Sequence, residues 1–130
     1  MVSAQVPMKA LNPQVEKIVA EISAERVGAA MKKLEGFGTR DLFSSLDNPK
    51  RGIGAAARWI RDEMASYSPR LQVRLDEHDA KKRGRMIRDV KLMNVVAALP
   101  GTTQKERQIL ITGHYDSLSM VWKKVGELNR

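Results

Sequence analysis

RGIGAAARWIRDEMASYSPRLQVRLD, residues 51–76, is the stretch that decides the fold, because the spacing of its apolar residues changes within it. Ser68 and Pro69 separate the two patterns. Before them, helical spacing connects Ile53, Ala56, Ala57, Ile60 and Met64. After them, leucine and valine alternate with polar residues over 71–76. A period of about 3.6 residues predicts a helix and a period of about 2 predicts a half-buried strand, so the chain is predicted to be of the α/β class.

Two further helices are predicted upstream. Asn12 followed by Pro13 is typical of a helix N-cap with proline in the first turn, and Ser23 can cap a second helix that Gly36 should end. The apolar stripes of these helices are Val15, Ile18, Val19 and Ile22, then Val27, Ala30, Met31 and Leu34. Turn-forming residues after Gly36 predict a loop before the third helix, of the kind that often lines sites.

Downstream, the pattern predicts more strands. Residues 93–99 form a second strand candidate, and the polar stretch 100–107 predicts a connection. Ile109, Leu110 and Ile111 predict a short buried strand. We therefore expect helices first and then about three strands, in a mixed sheet covered by helices. The predicted organisation is an extension with the first helix at 1–21, one domain at 22–117 and a divergent tail at 118–130.

Composition narrows the function classes. The 130 residues are 42% hydrophobic and 29% charged, as expected for a single globular domain. The chain has no cysteine, which excludes disulfides, iron-sulfur clusters, thiolate zinc sites and a cysteine nucleophile. No segment approaches the roughly 20 apolar residues of a membrane helix. Residues 1–17 contain no continuous apolar region of a secretory signal, which indicates either a cytoplasmic product or a mis-assigned start and leaves the compartment open.

The net charge of +8 is concentrated at residues 81–91, which hold six basic residues and one acidic residue. One interpretation is a surface for nucleic acid or another polyanion. The other is a solvated hairpin or loop whose charge keeps a strand edge from aggregating. No aromatic residue is interleaved to stack on bases, which favours the hairpin and makes a nucleic-acid partner unexpected.

The candidate chemistry lies at His114 and Asp116, directly after the apolar stretch 109–111. Ligands of open α/β sheets bind at the carboxyl ends of strands. There an imidazole nitrogen can bind a metal while a carboxylate two residues on can orient or polarise the metal-bound group, and Gly113 allows close backbone approach. The alternative is an ordinary loop histidine. A serine hydrolase triad with Ser117 is disfavoured, because adjacent residues rarely align nucleophile, base and acid.

Four motifs, in chain order, carry a family resemblance: FGTR at 37–40, RGIGAA at 51–56, NVVAALPGT at 94–102 and GHYDS at 113–117. Together with ISAER at 22–26, they make residues 22–117 resemble the zinc-dependent exopeptidases of peptidase family twenty-eight, the co-catalytic zinc aminopeptidases. The resemblance covers the N-terminal portion of such a domain only.

The resemblance implies an α/β/α sandwich around a mixed sheet, with two zinc ions at the strand ends and a water between them that attacks a peptide carbonyl. It implies that His114 is the first zinc ligand and that Asp116 orients it and supports catalysis. Peptides cleaved at chain ends are the implied substrates, and many members of the family are exported.

The chain departs from the family after Asp116. The family continues to a metal-bridging aspartate, a glutamate pair that includes the general base, and further ligands, whereas here only Glu127 is acidic and no histidine follows. His78, the other histidine, is predicted to be a solvated loop residue. We therefore expect a truncated, aminopeptidase-like zinc metallopeptidase domain that is inactive alone and self-associates through unpaired strands. The alternative is a non-catalytic binding module whose basic run at 81–91 contacts acidic partners.

Overall fold

The computed structural model describes residues 12–84 and 86–117. In chain order it contains α1 (Pro13–Ala20), α2 (Ala24–Gly36), α3 (Gly52–Tyr67), β1 (Gln72–Ala80) and β2 (Val90–Ala98). Helices followed by a sheet confirm the predicted α/β class. The chain divides into two compact units, Met1–Lys33 and Leu34–Arg130, which are described separately below.

In the first unit, both predicted caps are present. The Asn12 side chain accepts a hydrogen bond from the Gln14 amide at 2.8 Å, and the Ser23 hydroxyl accepts one from the Arg26 amide at 3.2 Å. Each cap satisfies an amide that has no partner within the first helical turn. The apolar stripes are exposed rather than buried, at Val15, Ile18, Val19, Ile22, Val27 and Met31. Helical spacing therefore predicted the secondary structure here but not a packed face.

The core of the second unit forms where α3 meets the loop before it. Its buried hydrophobic residues are Phe37, Ile53, Ala55, Ala56 and Ala57. The Phe37 ring lies 6.1 Å from the Trp59 ring, between centroids, in a tilted arrangement. Trp59 is half-buried and packs against this core.

The loop at 37–51 closes over the first turn of α3 through its own polar groups. The Gly52 amide donates to the Phe37 carbonyl at 3.0 Å, the Ile53 amide to the Ser44 hydroxyl at 2.9 Å, and the Gly54 amide to the Ser45 carbonyl at 3.2 Å. Gly52 has a φ of +85°, a left-handed conformation that favours glycine. The loop thus supplies the partners that helix-start amides require, without a side-chain cap at Arg51.

The two strands form an antiparallel hairpin that α3 packs against. The register runs from Gln72 opposite Ala98 to Ala80 opposite Val90, so the basic run lies mostly in the connection at 81–89. There the Asp89 carboxylate accepts from the Lys81 ammonium at 2.9 Å and the Lys82 amide at 2.8 Å. These hydrogen bonds lower the pKa of Asp89, with the Lys81 side chain the largest cause. The basic run therefore lies mostly in the connection of a hairpin.

Two sequence predictions are corrected. Ile109, Leu110 and Ile111 form no strand and are 93%, 86% and 90% exposed. A strand of three apolar residues needs a paired neighbour and packed layers, and the described residues provide neither around this segment. His78 lies on β1 rather than in a loop, because pairing with β2 extends the strand to Ala80. The predicted tail at 118–130 and most of the predicted extension before α1 lie outside the described residues.

Within the described part of the chain, no helix has the length and apolar character needed to cross a bilayer.

Candidate metal-binding site

Residues 112–116 run beside β2 and form one wall of an open cleft of about 380 Å³. The other walls come from β2, from the first turn of α3 and from the loop before it. The lining residues are Leu42, Ile53, Leu92, Met93, Asn94, Thr112, Gly113, His114, Tyr115 and Asp116. Both predicted site residues therefore reach the same cleft, although the strand that was expected to deliver them is absent from the described residues.

His114 and Asp116 form a hydrogen-bonded pair at the mouth of this cleft. His114 Nδ1 lies 2.8 Å from Asp116 Oδ1, and the side chains are 93% and 47% exposed. An ionised carboxylate can only accept a hydrogen bond, so we assign the ring proton to Nδ1. This tautomer leaves the lone pair of Nε2 free. A histidine held by a carboxylate at one nitrogen and open at the other has the arrangement common among metal-binding histidines.

Tyr115, between them in sequence, anchors the segment to the core. Its ring packs against the cluster of Phe37, Ala55 and Ala56, and its hydroxyl donates to the Met93 carbonyl on β2. Burial raises the pKa of Tyr115, and the Asp116 charge raises it further. Sequence analysis did not assign this residue a role, although alternation along an extended segment places it opposite its two neighbours.

His78 also pairs with a carboxylate, but through its other ring nitrogen. Its Nε2 lies 2.7 Å from Asp76 Oδ2 on an exposed part of β1. In the hairpin register Asp76 is opposite Asn94, which lines the cleft. The carboxylate therefore bonds Nδ1 in His114 but Nε2 in His78.

A zinc site is not completed by the residues that the structure describes. A catalytic zinc takes three protein ligands and a water. Among residues 12–84 and 86–117, no group of three histidine or carboxylate side chains is placed to hold a metal ion. His114 and its carboxylate fit the role of a single ligand with its orienting partner, and the rest of a ligand set is not in this part of the chain.

The triad alternative has no geometric support in the described segment. Asp116 occupies His114 Nδ1, and no hydrogen bond of the described residues joins the Ser117 hydroxyl to His114. The Ser117 amide instead donates to the Arg40 carbonyl at 3.0 Å.

Sequence comparison finds relatives that are named as probable zinc metalloproteases. The chain is 36% identical over 121 residues to a probable zinc metalloprotease of Pyricularia oryzae, which covers 90% of this chain and 23% of that protein. It is 37% identical over 108 residues to a probable zinc metalloprotease of Leptosphaeria maculans, covering 80% of this chain and 25% of that protein. A probable zinc metalloprotease of Pyrenophora teres f. teres is 35% identical over 108 residues, and the match covers 80% of this chain and 22% of that protein.

These similarities support a zinc metalloprotease family for the chain, which spans about a quarter of the length of the curated relatives it matches. No protein-family model and no solved structure matches it.

Proposed function

We propose that this chain supplies the first ligand of a zinc metallopeptidase centre of the aminopeptidase type, in the manner of peptidase family twenty-eight. The observation that carries the proposal is the His114–Asp116 pair, which leaves Nε2 of an exposed imidazole free at a cleft. The similarity to probable zinc metalloproteases over 80–90% of the chain supports it. The substrates are peptides cleaved at a chain end.

In this proposal the two side chains divide the work. The Asp116 carboxylate accepts a hydrogen bond from Nδ1 of His114, so that Nε2 of the ring faces outward. His114 would coordinate the metal through this Nε2. A bound zinc ion supplies Lewis-acid polarisation of the peptide carbonyl and an activated water. We expect no peptide hydrolysis by the 130 residues alone, because the residues that the structure describes provide one such ligand where a catalytic zinc takes three.

The basic run at 81–91 is not proposed as a contact surface. Asp89 engages the Lys81 ammonium, and the Arg88 guanidinium donates to the Phe43 carbonyl at 2.9 Å and lies 5.4 Å from the centre of the Phe43 ring. These contacts occupy part of the charge that a polyanion would need.

The direct test is a zinc titration of the chain, followed through the ring signals of its two histidines by NMR. We expect zinc to shift the His114 signals and expect His114→Ala to abolish that binding event, with His78→Ala as the matched control. An aminopeptidase assay on the same samples should show no turnover. The absence of any response at His114 would contradict the proposal, as would turnover that survives His114→Ala.

A second test places the chain in a full-length context. The matched quarter of the Pyricularia oryzae relative is replaced by the corresponding residues of this chain, with the unmodified relative as the reference for peptidase activity. We expect the chimera to retain activity and to lose it with His114→Ala but not with His78→Ala. Equal activity of the chimera and its His114→Ala form would exclude His114 as a ligand.

A further inference from the structure

We propose that Arg40 is a positioning residue for the His114–Asp116 pair, an inference that rests on the proposed function of that pair. Arg40 lies 75 residues away from Tyr115 in sequence, in the loop between α2 and α3. Its Nε donates to the Tyr115 carbonyl at 2.9 Å, and its own carbonyl accepts from the Ser117 amide at 3.0 Å.

These two hydrogen bonds fix the backbone on both sides of Asp116. The Tyr115 carbonyl belongs to the peptide group before Asp116, and the Ser117 amide belongs to the peptide group after it. Because peptide groups are planar, holding both of them restricts the two backbone dihedrals of Asp116. These dihedrals set the direction of the Asp116 Cα–Cβ bond and so the region that its carboxylate can reach, and the carboxylate in turn bonds the His114 ring.

Arg40 is itself held in place. A second guanidinium nitrogen donates to the Leu34 carbonyl near the end of α2, so the side chain bridges Leu34 and the site segment. The guanidinium is planar and presents its donors in a fixed geometry, whereas a lysine offers one flexible point of attachment. An arginine can therefore bond the Tyr115 and Leu34 carbonyls at the same time and hold them in a fixed relation. A lysine or a shorter side chain cannot hold both in this way.

The segment needs such support because it belongs to no helix or strand. The Tyr115 hydroxyl anchors the ring to β2 through the Met93 carbonyl, but this bond leaves the following peptide groups free to rotate. Arg40 supplies the restraint at those groups. The exposed pair can then keep one geometry without being buried.

The test compares Arg40→Gln and Arg40→Lys with the unmodified chain, and the readout is the tautomer of each histidine from ring nitrogen-15 shifts. We expect the Nδ1–H form to predominate at His114 and the Nε2–H form at His78, as their carboxylates dictate. Arg40→Gln should lower the Nδ1–H fraction at His114 and leave His78 unchanged, and Arg40→Lys should fall between. Trp59 fluorescence reports whether the core stays folded, and Arg61→Gln, at an exposed position bonded to Asp62, is the control.

An unchanged His114 tautomer in folded Arg40→Gln would overturn the inference, and Arg40→Lys serves the same purpose if the glutamine variant does not fold. Zinc titration gives a second readout, in which the dissociation constant at His114 should rise roughly 3–10-fold in Arg40→Gln, somewhat less than loss of a direct orienting partner costs. Equal zinc affinity in the variant also overturns the inference. If His114 of the unmodified chain does not respond to zinc, the proposed function fails, while the tautomer measurement still decides the role of Arg40.

Discussion

At Gly54, the Leu46 carbonyl occupies the space that any side chain would need. A Cβ built on this residue would lie 2.0 Å from the Leu46 oxygen and 2.6 Å from its carbonyl carbon. Both are backbone atoms of the loop that closes over α3, so neither can move aside as the end of a flexible side chain could. Gly28, within α2, is the opposite case, because a Cβ there meets no atom within 4 Å.

Gly54→Ala should therefore destabilise the protein by about 1–3 kcal/mol, the usual range for overpacking. Gly28→Ala should stabilise α2 by about 0.5–1 kcal/mol, since alanine restricts the unfolded chain and has a higher helix propensity than glycine. Urea unfolding followed by circular dichroism measures both changes. Equal effects of the two substitutions would show that the loop does not press on α3 as described.

Because the pKa of Tyr115 is raised in the folded chain, we expect stability to depend on pH in the alkaline range. This pKa is raised by burial first and by Asp116 second, so the unfolded chain loses the hydroxyl proton at lower pH than the folded chain. The contribution to stability is present below the unfolded pKa of about 10 and is lost as pH rises through the folded value. Tyr115→Phe should flatten this alkaline loss in urea unfolding measured between about pH 8 and pH 11. An identical decline in both proteins would contradict the assignment.

At the scale of elements, Arg58 adds a side-chain link between the loop and α3. Its guanidinium donates to the carbonyls of Leu46 and Asn48, each at 2.7 Å. The side chain thus folds back over the loop that precedes its own helix. The neighbouring Arg61 bonds only an exposed carboxylate, Asp62, among the partners described for it.

Arg58→Gln should lower the free energy of unfolding by about 1–2 kcal/mol, because two hydrogen bonds to a charged donor are lost at a partly exposed position. Arg61→Gln is the matched control and should change stability little, as exposed ion pairs generally contribute little. Urea midpoints of the two variants provide the comparison. A control as destabilised as Arg58→Gln would mean that loss of positive charge, and not the loop contact, is responsible.

The elements also show how far the sequence leads. The caps at Asn12 and Ser23 and the break at Ser68 are encoded locally, in side-chain hydrogen bonds and backbone restrictions, and sequence spacing found them. The end of β1 was not found, because residues 76–80 contain no apolar alternation and become a strand only by pairing with β2. The supposed strand at 109–111 failed for the related reason that burial is a property of the surroundings.

The candidate site likewise has one part that the sequence indicates and another part that depends on the tertiary fold. His114 and Asp116 were singled out because they directly follow the apolar stretch 109–111 and lie in the GHYDS motif, although that stretch forms no strand. Their support could not be found, since Arg40 is 75 residues from Tyr115 and Met93 is 22 residues from it. Contacts at such separations depend on the tertiary fold, and no local pattern marks them.

At the scale of the whole molecule, residues 109–111 form an exposed apolar run. Ile109, Leu110 and Ile111 are each more than four-fifths exposed and consecutive, and their unpaired backbone can join another strand. We expect the chain to self-associate through this run. The net charge of +8 opposes association through mutual repulsion, so the effect should strengthen as salt rises.

Sedimentation velocity over a range of concentrations tests this expectation. The double substitution of Ile109→Lys with Ile111→Lys should give a monomer where the unmodified chain associates. Ile87→Lys, at an exposed isoleucine in the hairpin connection, should behave as the unmodified chain. A monodisperse, stable monomer for the unmodified chain would rule out association through this run.

The distance in sequence between Arg40 and Tyr115 also sets an order of events in folding. The contacts of α3, β1 and β2 are close along the chain, and such local contacts form early because they close short loops. The bond from Arg40 must close 75 residues and depends on a segment that is synthesised after both strands. We therefore expect a growing chain to form α3 and the hairpin before the Arg40 bond, and to fix the orientation of the His114 ring late in the folding of residues 34–117.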